Sequence, residues 1–245
     1  MNSKIWLHYF QQNRLNRPEP AWDSPLQGEP TAICVLARSL SHFQLGESGE
    51  GTYLLRHARR TYGGDPSYGE ALALFIQEEQ EHARLLQKLV ERYRGQLVTK
   101  HWTHSLFRVL RRALGVGFEI QVLVIAELIG TAYYRLLGNR TSDPVLRHAC
   151  EIVLRDEAKH VAFHAERFGT DQAAWLPVER ALWLVQFQIL FLGALQVAWM
   201  DHQTALRAVG VRRPEFQQEA RRGCVQFLAS FAAVPAREEA APDTA

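Results

Sequence analysis

Long amphipathic stretches of helical period make up most of this chain, and short clusters of glycine, proline and asparagine separate them. Apolar residues recur at intervals of three and four, and no run shows sustained alternation of apolar and polar positions. Strong turn signals lie at residues 63–66, Gly-Gly-Asp-Pro, and at residues 138–144. The pattern predicts an all-α protein, with helices over about 31–62, 67–94, 103–138, 144–168, 177–209 and 214–233.

Composition divides the chain into three regions. Residues 1–30 form an N-terminal arm, in which a short amphipathic piece precedes a proline-rich stretch. Residues 31–233 carry the helical pattern without an internal boundary, so we expect a single helical domain there. Residues 234–245 have the composition of a disordered tail.

The most apolar stretch of the chain covers residues 181–200. Three glutamines interrupt this stretch, and charged residues flank it on both sides. A membrane span is typically an uninterrupted run of about 20 apolar residues. We therefore predict that 181–200 is a central core helix and that the protein has no membrane partner.

The overall composition is that of a soluble globular protein, with 47% hydrophobic and 22% charged residues. A formal net charge of +2 gives no indication of nucleic-acid binding. The cysteines, Cys34, Cys150 and Cys224, are far apart and form no Cys-x-x-Cys pair, which argues against a disulfide framework or a zinc ribbon. Because the N-terminus also lacks the apolar core of a signal peptide, we expect a cytoplasmic protein.

Two Glu-x-x-His segments, each preceded by a second acid, are the main candidates for chemistry. One contains Glu79 and His82, and the other contains Glu157 and His160. Residues three apart lie on one face of a helix, so each pair can present an oxygen and a nitrogen to one point. Both pairs fall within the apolar stripe of their predicted helix. Since a buried carboxylate is costly unless it is paired or binds a metal, the placement predicts a metal site.

Two further acids are predicted to lie level with these pairs. In an antiparallel helix hairpin, residues equidistant from the turn lie at the same height. Glu50 and Glu79 are equidistant from the turn at 63–66, and Glu127 and Glu157 from the turn at 138–144. Glu47, one helical turn before Glu50 on the same face, is the alternative to Glu50.

Carboxylate and imidazole ligands together suit iron or manganese. The predicted metal ligands are Glu50, Glu79, His82, Glu127, Glu157 and His160. Glu78 and Asp156 are expected behind them, where each would accept the outer ring N–H of the histidine on the opposite helix. We expect His164, one turn after His160, to support the site or line its pocket, and an additional ligand role is the alternative.

This order of residues resembles that of the ferritin-like diiron-carboxylate superfamily: Glu on the first helix, Glu-x-x-His on the second, Glu on the third and Asp-Glu-x-x-His on the fourth. The resemblance covers about residues 31–170. It implies a ferritin-like four-helix bundle, here with two additional C-terminal helices, and a site for two iron ions, with manganese–iron as an option. Oxygen-activating members carry a threonine about one turn beyond the third-helix Glu, which implies a catalytic role for Thr131. The alternative is that Thr131 bonds back to the carbonyl of Glu127.

The resemblance also implies an enzyme of the monooxygenase type. Such a non-heme diiron oxygenase would use dioxygen and external electrons to hydroxylate, N-oxygenate or desaturate a small organic or carrier-bound substrate. We expect a separate electron donor, a ferredoxin or a flavin reductase, and a substrate pocket walled by the two additional helices. The alternatives are an iron-storage or peroxide-detoxifying protein on the same bundle and a metal-free helical interaction protein. The sequence is also compatible with a homodimer.

Overall fold

Helices account for most of the protein, and the computed structural model describes residues 1–101 and 115–232. The residues described contain no β-strand, so the all-α prediction is confirmed for them. The helices are α1 Ser3–Leu15, α2 Pro30–Glu47, α3 Thr52–Thr61, α4 Pro66–Arg92, α5 Val116–Arg140, α6 Pro144–Asp171, α7 Pro177–Ala208 and α8 Arg213–Ala232. The predicted helix over 103–138 lies partly, and the tail wholly, outside the described residues.

Asp-Pro pairs start the two helices that carry the Glu-x-x-His segments. Asp65 caps α4 by accepting the backbone N–H of Tyr68, and Asp143 caps α6 by accepting the N–H of Val145. The proline that follows each aspartate needs no hydrogen-bond acceptor at the first helical position. The two predicted turns therefore end one helix and start the next, as the sequence indicated.

The predicted single helix over 31–62 is wrong, because the chain breaks between Glu47 and Thr52. Gly51 has a φ of 60°, in the left-handed region that favours glycine. A Cβ atom at this position would overlap the side chain of Ile76 on α4. The break lets the chain pass close to α4 and starts α3 in a new direction.

Two antiparallel helix pairs position the candidate site. Helix α2 packs along α4, α5 packs along α6, and the pairs meet where α4 faces α6. Helix α1 lies against α4, while α7 and α8 pack on α5. The N-terminal arm is thus part of the packed structure, and both Glu-x-x-His segments lie on facing helices.

The prediction of a central core helix over 181–200 is wrong for one face of α7. Trp183, Phe187, Phe191 and other residues of the inner face are buried, but the opposite face exposes large apolar side chains. By length and apolar composition, α5 and α7 could each cross a membrane, which is weak evidence on its own. Helix α5 is mostly buried within the protein, whereas only 22% of the apolar window of α7 is buried.

Candidate metal centre

Four residues on the facing helices α4 and α6 could hold a metal ion. They are Glu79, His82, Glu157 and His160, and their ligand atoms all lie within 4.8 Å of one another. Both imidazoles are fully buried, and the Glu157 side chain is almost so. Glu79 keeps 16% of its side chain exposed, because it also borders a cavity.

Both histidines turn the same ring nitrogen towards the acids of the cluster. Nδ1 of His160 lies 2.8 Å from Oε1 of Glu79 and 3.7 Å from Oε2 of Glu157. Nδ1 of His82 lies 3.5 Å from Oε1 of Glu157 and 3.9 Å from Oε1 of Glu79. The two Nδ1 atoms and the two carboxylates therefore converge on one region between the helices.

The outer ring nitrogens contact the acids that precede each motif on the opposite helix. Nε2 of His160 lies 3.0 Å from Oε2 of Glu78, and Nε2 of His82 lies 3.3 Å from Oδ2 of Asp156. Both crossed contacts predicted from the sequence are present. A proton on Nε2 leaves Nδ1 with a free lone pair, which is the form that binds metals.

A polar group from the N-terminal arm, which the sequence did not reveal, holds the two outer acids. The amide nitrogen of Asn13 donates to Oε1 of Glu78 at 2.7 Å and to Oδ1 of Asp156 at 3.0 Å. Arg17 donates to Oδ2 of Asp156 at 2.7 Å, and Arg155 donates to Oδ1 of the same carboxylate. Burial alone would raise the pKa of Asp156, but His82 and these arginines outweigh it and hold the pKa below its usual range.

The structure brings Glu47 to the cluster and leaves Glu50 outside it. Glu47 ends α2 and lies against Glu79. Glu50 follows on the loop before α3 and is exposed, although it borders the same cavity. The prediction of Glu50 as the level partner of Glu79 is therefore corrected, because it assumed that the helix continues through residues 48–51.

Glu127 is buried on α5 and lies beside His164. Oε1 of Glu127 lies 3.3 Å from Nε2 of His164, which is fully buried on α6. The charge of Glu127 acts on both Glu47 and Glu157, so this acid belongs to the same group. His164 thus contacts an acid of the cluster from α6, which agrees with a supporting position.

Thr131 lies one turn beyond Glu127, as predicted. Its Oγ1 atom is buried and makes no hydrogen bond, so the alternative of a bond back to the carbonyl of Glu127 is not formed. A buried hydroxyl without a partner is costly, so the absence of a bond here sets Thr131 apart, although it is not among the residues that line the cavity. The catalytic role of Thr131 stays a prediction.

The buried acids differ in the protons they hold. Burial and the charge of Glu79 raise the pKa of Glu157 to about 7, and the same two causes raise the pKa of Glu47 well above its usual range. Burial would also raise the pKa of Glu79, but contact with His160 outweighs it and lowers that pKa. Burial would lower the pKa of His160, yet Glu157, Glu78 and Glu79 raise it well above the ordinary value. Protons therefore offset much of the negative charge of the cluster.

Unpartnered atoms make the chemistry of this cluster fit a metal. Among the residues described, several buried ligand atoms make no hydrogen bond: Nδ1 of His82, both carboxylate oxygens of Glu127 and Oε2 of Glu157. Oε1 of Glu79 and Nδ1 of His160 lie 2.8 Å apart, as an ion pair. Buried polar atoms are nearly always partnered in folded proteins. A concentration of unpartnered atoms that all have metal-binding chemistry is the arrangement that a cation would satisfy.

A cavity of about 410 Å³ adjoins the cluster. Its lining includes the four acids of the cluster, Glu47, Glu79, Glu127 and Glu157, and three further acids, Glu50, Glu119 and Asp201. Most of the remaining lining is apolar, and α7 contributes Ala194, Ala198, Asp201 and His202. The expectation that an additional helix walls a pocket therefore holds for α7, while no residue described on α8 is part of the lining.

The comparisons with known proteins returned no relative. No protein-family model, no curated protein and no solved structure matches this chain. The chemistry of the site therefore carries the functional argument.

Proposed function

We propose that this chain is a ferritin-like diiron-carboxylate enzyme that uses dioxygen to oxidise a small organic substrate. One observation carries the proposal: two Glu-x-x-His segments face each other with both Nδ1 atoms turned inward, among buried carboxylates that border a cavity. This combination of ligands, burial and access suits a redox metal site better than a structural network, which would partner its buried atoms within the protein.

The helix arrangement supports the superfamily. In ferritin-like proteins two helices each supply a Glu and two others each supply Glu-x-x-His, all pointing inward. Here α2 supplies Glu47, α5 supplies Glu127, and α4 and α6 supply the two motifs. The four helices form two antiparallel pairs that meet through α4 and α6. Helices α7 and α8 are additions to that bundle.

The ligand set of the proposed centre is Glu47, Glu79, His82, Glu127, Glu157 and His160. Two iron ions bound there, or a manganese–iron pair, would reduce dioxygen. The electrons would come from a separate ferredoxin or flavin reductase. The protein's own part is to turn Nδ1 of both imidazoles inward, where each would bind once cations displace the protons of the metal-free cluster. Glu78 and Asp156 hold the outer N–H of each ring, and protons on the acids are released when cations bind.

The cavity supports an enzyme over an iron-storage protein. Its volume of about 410 Å³ lies within the roughly 300–1,000 Å³ range of small-molecule sites. Apolar side chains from α2, α5 and α7, among them Phe43, Val122 and Ala198, would hold an organic substrate beside the acids and exclude water. Hydroxylation, N-oxygenation and desaturation all fit such a pocket.

Metal analysis tests the metal centre. The full chain is loaded with Fe(II) under anaerobic conditions, desalted and assayed for iron. We expect about two irons per chain for the native protein and a large loss for Glu79→Ala. Glu81→Ala on the half-exposed side of the same helix is the control and should retain the native content. Less than one iron per chain, unchanged by Glu79→Ala, would contradict any diiron function.

Oxygen consumption separates the enzyme from iron storage. With a chemical reductant and a panel of small organic substrates, the enzyme should couple oxygen uptake to an oxidised organic product. Accumulation of ferric mineral alone, with every donor and substrate supplied, would instead assign the protein to iron handling.

A further inference from the structure

An exposed apolar stripe runs along the outer face of α7. We define the outer stripe as Val178, Leu182, Val185, Ile189 and Leu192. Each of these side chains is between 49% and 66% exposed. The inner face of the same helix is fully packed, so α7 is apolar on both sides.

The spacing of the outer stripe is that of a helix–helix seam. Its positions are separated by four, three, four and three residues, which is the alternation of a heptad repeat. The buried inner face follows a different spacing, with Trp183, Phe187, Phe191 and Leu195 four residues apart. The outer stripe therefore has its own period, which suits a partner helix rather than the core of the chain.

Charge is absent along the outer stripe after Arg180. Between Arg180 and Asp201 the helix carries no acidic or basic residue, and Gln186 and Gln188 flank the outer stripe. Helices that lie on a lipid surface usually carry many lysines and arginines on their polar face. The face opposite the outer stripe, where such a helix would carry its charges, is here mostly apolar and is buried against α2 and α5.

We propose that two copies of this chain associate through the outer stripes of their α7 helices, around a twofold axis. A twofold contact is self-complementary, so one apolar stripe satisfies both copies. The outer stripe with Met200, which lies on the same face of the helix, exposes on the order of 600 Å², about what each partner buries in the smaller standard interfaces. The largest apolar patch on a typical monomer is about 300–600 Å², so the outer stripe lies at the upper end of that range.

The dimer would support the cavity without depending on the proposed reaction. Ala194, Ala198, Asp201 and His202 line the cavity from α7, so the helix stands between the cavity and the partner. Contact with the partner along the outer stripe would hold α7 in place and so hold this wall of the cavity in place. The association is a property of the folded chain with or without metal, so its test is independent of iron content.

Sedimentation velocity of the full chain tests the proposal. We expect a dimer for the native protein and a monomer for Leu182→Glu/Ile189→Glu, because like charges would meet in a buried contact and weaken association more than about 100-fold. Ile5→Glu/Leu15→Glu adds the same charges at apolar positions that are 64% and 73% exposed on α1, and should leave the dimer intact.

A mixture of oppositely charged variants distinguishes a lost interface from a folding defect, because only folded chains can pair again. Leu182→Lys/Ile189→Lys alone should be monomeric, and an equimolar mixture with the glutamate variant should recover the dimer. A native protein that remains monomeric at a chain concentration of about 100 μM would overturn the proposal. So would a dimer that survives both glutamates. A native monomer that co-sediments with phosphatidylglycerol vesicles, and loses this with the glutamates, would instead assign the outer stripe to lipid.

Discussion

His160 touches Glu78 with one ring nitrogen and Glu79 with the other: Nε2 lies 3.0 Å from Glu78 and Nδ1 lies 2.8 Å from Glu79. Two consecutive acids on α4 thus contact the two ring nitrogens of one imidazole on α6. His82 on α4 stands in the same relation to Asp156 and Glu157 on α6. The crossed arrangement explains why an acid precedes each Glu-x-x-His segment, since each outer acid orients the histidine of the other helix.

Glu78→Gln should weaken metal binding while leaving the inner ligands in place. The amide no longer holds a charged acceptor against Nε2 of His160, so the ring loses basicity and its fixed orientation. We expect metal affinity to fall by about 10- to 100-fold, measured by anaerobic Co(II) titration. Glu81→Gln, which removes the same charge from a half-exposed site on α4, should bind as the native protein does. If Glu78→Gln bound Co(II) as tightly as the native protein, the contact between Glu78 and Nε2 of His160 would have no effect on metal binding.

Glu47 and Glu50 make a matched pair for testing which acid serves α2. Glu47→Gln removes the acid that lies against Glu79 and should lower the iron content per chain. Glu50→Gln changes an exposed loop acid and should leave the content at the native value. Both variants are isosteric, so iron analysis after anaerobic loading compares charge alone. The reverse outcome would restore the ligand predicted from hairpin geometry.

The sequence predicted the part of the site that depends on local spacing. Glu79, His82, Glu157 and His160 repeat at helical intervals within apolar stripes, so both their helices and their inward direction followed from the pattern. Glu50 did not follow, because its placement required an unbroken helix through a stretch that Gly51 interrupts.

Two other features depend on contacts between distant parts of the chain. Asn13 donates to Glu78 and Asp156, which lie 65 and 143 positions further along the sequence. A periodic pattern of apolar residues cannot predict a contact between such distant positions. The apolar composition of α7 predicted a core helix, because composition does not distinguish an apolar face that packs within the chain from one that stays exposed.

Gly51→Ala should destabilise the protein by about 1–3 kcal/mol, since a side chain is strained at a φ of 60° and would also displace Ile76. Gly49→Ala is the control, because open space surrounds the Cβ position there and its φ is not positive. Urea unfolding followed by circular dichroism measures both. A change within about 0.5 kcal/mol for the Gly51 variant would mean that the α2–α3 break relaxes without cost.

Asn13→Asp should disturb the site from the N-terminal arm. The amide nitrogen of Asn13 donates to both Glu78 and Asp156, and an aspartate would replace these bonds with repulsion between buried acids. We expect a lower melting temperature and a faster loss of bound metal to a chelator at pH 7. Gln12→Glu introduces the same charge at the neighbouring exposed position and should change neither property. If the Asn13 variant lost its metal to the chelator at the native rate, the N-terminal arm would have no influence on the metal centre.

His202 should make the stability of the metal-free protein depend on pH below neutrality. Burial, then the neighbouring charges of His42 and His101, lower the pKa of His202 to about 3, whereas the unfolded chain binds this proton near pH 6.5. Between these values the unfolded state holds more protons, so the free energy of unfolding contributed by His202 falls as the pH drops from about 6.5 towards 3, and it is fully present above 6.5.

His202→Gln removes this titration and should make the dependence shallower by up to about 1.4 kcal/mol per pH unit within that window. The amide can still contact Oγ of Ser39, which bonds Nδ1 of His202 at 2.8 Å, so the loss of packing is limited. Urea titrations at pH 4.5, 5.5 and 7.5 on the native and variant chains measure the difference. His8→Gln is the control, because solvent surrounds this side chain in both states. Parallel pH profiles for the native and His202→Gln chains would show that His202 takes up its proton in the folded state as readily as in the unfolded one.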